Sequence, residues 1–258
     1  MELLATTAAL SAIIALRYLL VAAGLYRLLW RRGEPRLRST RLNTRPPARA
    51  AILHELRASL ISSPIYAFPA AIALDAFEHG RGLIYADPSR YGLWWLPASA
   101  LIYLVVQDTY YYWAHRAMHH RWAFAWTHRG HHLSREPTPF ASFAFDAVEA
   151  AGTAWVLPAL TFFVPIQWGV ALALLTLMTL AALMNHCGFE LWPQSWVRGP
   201  VGRWLITATH HSLHHTRFRC NYGLYSRAWD RWMGTDAMPV LAEELAQVQV
   251  QPTPLQTA

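Results

Sequence analysis

Two short stretches concentrate the imidazole of this 258-residue chain. HRAMHHRWAFAWTHRGHH, residues 115–132, holds six histidines, and THHSLHHTRFRCNYG, residues 209–223, holds four more. His115 and His119 are four apart, the spacing that stacks two side chains on one helix face a turn apart. The pattern H-x-x-H-H then occurs twice, as His128, His131 and His132 and as His211, His214 and His215. In each triplet the outer pair is again i, i+4, while adjacent histidines diverge by about 100 degrees around a helix. Neighbours can therefore serve two different ions. His186 adds a further ligand, with Glu190 four residues later. Leaving so many imidazoles half-satisfied beside an apolar phase would cost several kcal/mol in desolvation or shifted ionisation. A closed structural zinc takes four ligands, so nine grouped histidines and a carboxylate predict two metal ions with exchangeable positions. Imidazole suits zinc, copper, iron and nickel alike, and ligand type leaves the metal open. His54, His79, His120 and His210 fall outside the pattern and are expected to be ordinary capping or hydrogen-bonded residues.

The elements that must position these groups read as membrane spans. The chain is 54% hydrophobic and only 14% charged, where an ordinary soluble domain carries about 25% charged residues. Residues 5–30 are long enough to cross a bilayer and lack a signal-peptide cleavage site, so they predict an uncleaved first helix with Arg17 near its middle. Residues 31–57 carry eight arginines and three prolines, which by the positive-inside rule makes this loop cytoplasmic. Apolar stretches at 58–77 and 91–113 predict two further spans, the second returning to the cytoplasm and delivering His115 there. Residues 151–184 are uncharged and broken by Pro158, Pro165 and Gly169, which predicts a helical hairpin, one arm incomplete, that brings His186 back to the same face. The expected fold is all-α: about four transmembrane helices and a cytosolic helical cap around a di-metal site. One domain is expected over 1–236, with a flexible tail at 237–258. The formal charge of +7 is carried by arginines beside apolar spans, which argues against nucleic acid. Cys187 and Cys220 suggest no disulfide framework and fit a reducing face.

Over residues 107–235 the chain resembles the fatty acid hydroxylase / sterol desaturase superfamily. DTYYYWAHRAMH (108–119) looks like its Asp-x-x-x-Tyr-Trp-x-His-Arg-x-x-His segment, and HRGHH (128–132) like its second motif. NHCGFELWP (185–193) is similar to the segment in which an acidic residue follows the histidine by four. HHSLHH (210–215), NYG (221–223) and WDRWMGT (229–235) look like the closing signature. The resemblance implies a non-haem di-iron centre held by His115, His119, His128, His131, His132, His186, His211, His214 and His215, with O2 as co-substrate and oxidation of an unactivated lipid C–H bond. One departure is visible: after FASFAF the family commonly has His-Pro-x-Glu, whereas this chain has Asp146, Ala147, Val148 and Glu149.

Each ligand imidazole needs an acceptor on its second nitrogen. Asp108, two turns before His115, is the first candidate, and Glu149, Glu190, Asn185 and Asp230 are others. Glu190 could also be a metal ligand. Tyr110, Tyr111, Tyr112, Trp113, Trp122, Phe124 and Trp126 read as an interfacial aromatic belt that could also line a lipid channel. No haem domain, flavin motif or nucleotide-binding glycine motif is present, so reducing electrons are expected from a separate ferredoxin, or from a cytochrome with its reductase, attracted by the basic face. The leading reading is an integral-membrane lipid hydroxylase or desaturase with its site on the cytoplasmic face. A zinc-dependent membrane hydrolase and a non-enzymatic metal transporter are the alternatives, and recombinant material could carry zinc in place of iron. Which lipid is oxidised and the oligomeric state are not legible in the sequence.

Overall fold

The computed structural model describes residues 2–32, 35–239 and 241–242; most of the expected tail lies outside the described residues. The chain is mainly helical. Helix α1 (Glu2–Tyr26) runs on into a π-helical turn, Arg27–Arg32. It is followed by α2 (Arg49–Glu78), α3 (Trp95–Met118), the short pair α4 (Ala147–Ala154) and α5 (Val156–Leu160), and α6 (Trp168–His186). Next come α7 (Ala208–Arg217) and the single turn α8 (Ala228–Trp232). Three of these segments, Glu2–Arg32, α2 and α6, are long and apolar enough to cross a bilayer. Their exposed faces are apolar: Leu4, Ile13 and Leu20 on α1, Ile61 and Phe68 on α2, Leu172 and Leu177 on α6. Such continuous exposed apolar surface needs lipid to cover it.

Two expectations shift in position. The second apolar helix begins at Arg49, so Arg49, His54 and Arg57 ride on its first turns instead of in the preceding loop. The predicted hairpin is strongly unequal. Its outgoing arm is only α4 and α5, 8 and 5 residues long, and the chain turns before the 19-residue α6. Pro158 and Pro165 explain the asymmetry, since proline cannot donate to the helical ladder. A two-stranded parallel ribbon, Ile84–Tyr85 beside Ile166–Gln167, ties the turn of the hairpin to the α2–α3 connection.

Small residues let the first two helices approach closely. Ala67 and Ala71 of α2 and Ala22 of α1 are fully buried. Both helices also grip one point of the 3-10 turn Pro139–Phe143: the Tyr18 hydroxyl donates to the Phe140 carbonyl at 2.8 Å and Ser59 Oγ donates to the same oxygen at 2.9 Å. Glu55, buried within α2, accepts from the Thr138 amide at 3.4 Å and from the Thr138 hydroxyl. The spans thus clamp the segment between His132 and Glu149. On the other side, Tyr103 of α3 packs with Ile166 and Leu174, and its hydroxyl donates to the Val164 carbonyl at 2.9 Å.

Candidate metal centre

The nine grouped histidines converge from five pieces of chain at one end of the helices. They form two sets in which the candidate ligand atoms lie within 4.8 Å of one another: His115, His119, His128, His132 and His214 in one, and His131, His186, His211 and His215 in the other. Adjacent residues part as the spacing requires, with His131 and His132 in different sets and His214 and His215 likewise. The two sets abut, the His132 and His215 rings being 4.9 Å apart. Only the 211–215 triplet achieves this on a continuous helix. His119 is the C-cap of α3, and His128 follows a one-turn helix, Phe124–Thr127. His131 and His132 sit on a 3-10 turn. The helical expectation for 128–132 therefore fails: the chain leaves helical geometry at His128, where φ is −145°. The Gly130 amide is taken by the Asp146 carboxylate at 2.7 Å instead of by a helical carbonyl.

The ring nitrogens decide what the sets can hold. His115 Nδ1 donates to the Tyr222 carbonyl at 2.9 Å and His131 Nδ1 to Ala144 O at 3.1 Å. His186 Nδ1 donates to Ala182 O at 2.8 Å and His214 Nδ1 to Cys220 O at 2.7 Å. His128 Nδ1 lies 2.7 Å from Glu149 Oε2. A carbonyl can only accept, so the proton on each of the four rings it touches is on Nδ1 and Nε2 is a bare lone pair. Two of those bare nitrogens face each other, His186 Nε2 and His131 Nε2 at 3.5 Å, and His115 Nε2 is 2.9 Å from Nε2 of His128, whose Nδ1 is on Glu149. His132 Nε2 lies 3.0 Å from His214 Nε2, and His211 Nε2 2.8 Å from His186 Nε2. Where both nitrogens are bare, as at His131 and His186, the lone pairs repel unless a cation lies between them. Two nitrogens bound at right angles to an ion with bonds of about 2.1 Å sit about 3.0 Å apart, which is the spacing here. The donor set fits two imidazole-bound metal ions.

Burial agrees with that reading. Eight of the nine rings are buried and His119 is half-buried. Desolvation holds His128 down to about 3, His131 to about 4 and His214 to about 3, and it lowers His132, His211 and His215 strongly too. The rings are therefore neutral, the form a metal binds. Burial also raises the Glu149 carboxyl to about 8. Phenylalanines close the faces: Phe145 stacks on His131 at 5.5 Å, and Phe218 and Phe124 pack tilted against His132 at 4.7 Å and His119 at 5.3 Å. Phe218 ends α7 with φ of +65°, a left-handed conformation costly for an aromatic residue.

The candidate carboxylates divide. Glu149 reaches an imidazole, as expected of an orienting acceptor. Asp108 does not: its carboxylate accepts from the Tyr225 amide at 2.7 Å and from the Ser226 amide and hydroxyl at 3.2 and 2.6 Å. Glu190 belongs to neither set. It accepts the Thr209 amide and hydroxyl at 2.9 and 2.7 Å and the Trp192 amide at 3.1 Å, so it caps the N-terminus of α7. Its i, i+4 relation to His186 is broken because α6 ends at His186 and the chain turns at Gly188, where φ is +80°. Asp230 also serves backbone, accepting the Tyr222 and Gly223 amides at 2.8 Å each; burial raises it to about 6. Asn185 is half-buried at the end of α6.

Sequence reasoning missed the carbonyl acceptors, because a backbone acceptor leaves no residue-type signal. The one available clue was NYG. Asn221 adopts φ of +58°, and its side chain accepts from the Ala237 amide and donates to His210 O, which presents the next carbonyl, Tyr222, to His115. Among the four histidines expected to be ordinary, His54 and His79 contact the Gly130 and Asp75 carbonyls. His210 departs from expectation: it is buried, neither ring nitrogen has a hydrogen-bond partner, and Asp230 is 3.7 Å away.

Known proteins share sequence with this region. The chain is 36% identical over 193 residues to a Delta(7)-sterol 5(6)-desaturase of Gibberella zeae, covering 73% of this chain and 53% of that protein. A second Delta(7)-sterol 5(6)-desaturase of the same fungus is 28% identical over 189 residues, 73% of this chain and 57% of that one. Lathosterol oxidase of Homo sapiens is 34% identical over 149 residues, 58% of this chain and 48% of the relative. The chain thus spans about half the length of these relatives. No solved structure matches. Residues 100–235, a segment that holds all nine grouped histidines and more than half of the sequence, match the fatty acid hydroxylase family, and the chain is a membrane protein that belongs to it.

Proposed function

We propose that this protein is an O2-dependent membrane lipid oxidase, a hydroxylase or desaturase, whose nine histidines hold two iron ions. The observation that carries the reading is the convergence of nine ring nitrogens into two buried sets, five of the rings being fixed by an acceptor on Nδ1. Bound iron supplies reduction of O2 and oxidation of an unactivated C–H bond, chemistry that side chains cannot perform. The chain's own work is positional and electrostatic. The Tyr222, Ala144, Ala182 and Cys220 carbonyls fix ring tautomer and direction. Glu149, on His128 Nδ1, is the orienting carboxylate and the proton acceptor nearest a ligand. Phe124, Phe145 and Phe218 exclude water from the ring faces. Asp108 and Glu190 act at one remove, Asp108 by holding the 225–226 turn that follows Tyr222, Glu190 by capping the helix that carries three ligands.

The sterol desaturases and lathosterol oxidase among the relatives favour a sterol or similar polycyclic lipid, and dehydrogenation of a C–C bond as the reaction. In the arrangement we propose, α3 is a fourth span beside the three apolar ones. The arginine-rich stretch from Arg27 to Arg57 marks the cytoplasmic side and the histidines open to that face. Electrons arrive from a separate ferredoxin or cytochrome, since the chain carries no flavin or haem motif. Residues 1–236 act as one unit.

Purification without oxygen, metal analysis and O2 uptake with a panel of sterols and fatty acyl lipids test the reading together. About two irons per chain with lipid-dependent O2 consumption is the expected result. Stoichiometric zinc, with ester or amide hydrolysis and no O2 consumption in iron-reconstituted protein, would replace it with a hydrolase.

A further inference from the structure

The stretch LWPQSWVRGPVGRWL, residues 191–205, contains three tryptophans, two arginines and no acidic residue. It plays no part in holding the histidines, yet it is tightly built. Val197 is buried, and the Gly202 amide donates to Trp196 O at 2.8 Å. A Cβ on Gly202 would lie 2.0 Å from the Val197 carbonyl oxygen, so the turn requires glycine. The buried Arg227 guanidinium donates to Gly202 O, and its backbone amide bonds Trp204 O at 2.7 Å. What this fold displays outward is apolar and aromatic: Trp192, Trp196, Val201, Trp204 and Leu205 are all exposed, Trp204 by half its surface. The Trp192 and Trp196 rings stack at 5.5 Å, and the Arg231 guanidinium lies 4.5 Å over Trp204. Arg198, Arg203 and Arg231 are exposed around the same patch.

Its level along the helices explains why so much indole faces outward. Leu205 bridges to Ser226, and the Ser226 amide and hydroxyl rest on Asp108. Asp108 is ten residues before the end of α3, so this edge lies about 15 Å back along that helix from its histidine end. At that level α3 itself exposes Val105, Val106 and Tyr110. The outward face of 191–205 thus lies level with this exposed apolar stretch of α3. Tryptophan bodies with an arginine rim match a headgroup layer, where indole sits at the boundary of the hydrocarbon and arginine meets phosphate.

We infer that residues 191–205 form an interfacial element seated in the bilayer, with Trp196, Trp204 and Leu205 at the acyl boundary and Arg198 and Arg203 on anionic lipid phosphates. The assignment stands apart from the oxidase reading, because it needs no metal and no turnover. Cys187 and Cys220 are both buried, so a thiol-reactive nitroxide reports on an added cysteine. Val201→Cys and Leu205→Cys replace exposed side chains and give two independent reporters in the full chain, reconstituted in phosphatidylcholine vesicles with and without phosphatidylglycerol. The expected result is relaxation of both labels severalfold more by O2 than by a water-soluble nickel chelate, with the reverse for Arg45→Cys in the arginine-rich loop. Anionic lipid should deepen both labels, and Arg198→Gln with Arg203→Gln should abolish that deepening. Labels at 201 and 205 as open to the nickel chelate as the label at 45, which is also the outcome for a surface reserved for another protein, would overturn the inference. Depth indifferent to anionic lipid would refute its arginine–phosphate half.

Discussion

Replacing Glu190 with glutamine separates two roles that spacing alone cannot. The carboxylate accepts three hydrogen bonds at the start of α7, from the Thr209 amide and hydroxyl and the Trp192 amide. Glutamine keeps one oxygen for Thr209 but turns an NH2 toward the Trp192 amide, leaving a buried donor unpaired at about 1–3 kcal/mol. It also removes a negative charge from a helix N-terminus, worth about 0.3–1 kcal/mol. The expected loss is about 1.3–4 kcal/mol of stability, which for a chain this long lowers Tm by roughly 2–4 °C per kcal/mol. No member of either histidine set is touched, so Glu190→Gln should retain two metals per chain while it melts earlier. Metal analysis and thermal unfolding on one preparation read both quantities. A variant that melts like the parent but holds one metal fewer would refute the capping argument and make Glu190 a ligand.

Glu149→Ala leaves His128 Nδ1 without its acceptor, and loss of such a partner costs about 10–100-fold in metal affinity; chelator competition measures it, and Glu149→Gln, which keeps an acceptor oxygen, should lose less. Metal-stripped protein should lose stability as pH falls below about 6.5, the ordinary histidine value. His128, His131 and His214 are held down at about 3 to 4 by burial, so the unfolded chain takes up protons first, and each withdraws about 1.4 kcal/mol per pH unit until its folded value is reached. Denaturant titrations between pH 8 and about 4 check the sign, and a flat profile would show that the rings are already charged or solvated. Gly130→Ala places a methyl 2.2 Å from Asp146 Oδ1. That carboxylate must swing away and release the Gly130 amide, so metal content should drop, and Asp146→Ala in the same chain should restore space but not the lost hydrogen bond.

Much of the site was legible because metal ligands are few in type and regular in spacing. The partition of His131 from His132 and of His214 from His215 follows from the divergence of neighbours on a turn, and it survives even where 131–132 is a 3-10 turn instead of an α-helix. Three span positions followed from apolar length, although helix α2 absorbed Arg49, His54 and Arg57 from the predicted loop, and α3, expected as a span over 91–113, is not among the helices apolar enough to cross. Roles of carboxylates were not legible. Asp108, Glu149 and Glu190 are each buried close to the histidines in sequence or space, and only one touches a ring. A carboxylate accepts equally well from an imidazole N–H and from an amide N–H, so its residue type does not distinguish orienting a ligand from capping a helix. Only the chain path after α6 and after α7 does.

That ambiguity has a chemical side. Every acceptor on a ligand ring except Glu149 is a backbone carbonyl, among the hydrogen bonds of the described residues. Carbonyls orient without adding charge, and the nine rings are neutral, so Glu149, which burial keeps protonated up to about pH 8, is the one side chain among the described residues that can bring a negative charge into hydrogen-bond contact with a grouped histidine, once a cation or higher pH removes its proton. Its single partner is His128, in the five-histidine set, and its second oxygen is buried with no hydrogen-bond partner. Two ions held by these sets would therefore sit in different fields, because the carboxylate hydrogen-bonds a ring of the five-histidine set and reaches the four-histidine set only through its charge on His131. Iron reconstitution of Glu149→Gln should shift the spectroscopic signature of one ion more than the other. Equal shifts at both would mean that the charge is shared across the pair and that the asymmetry of the acceptors has no electronic consequence.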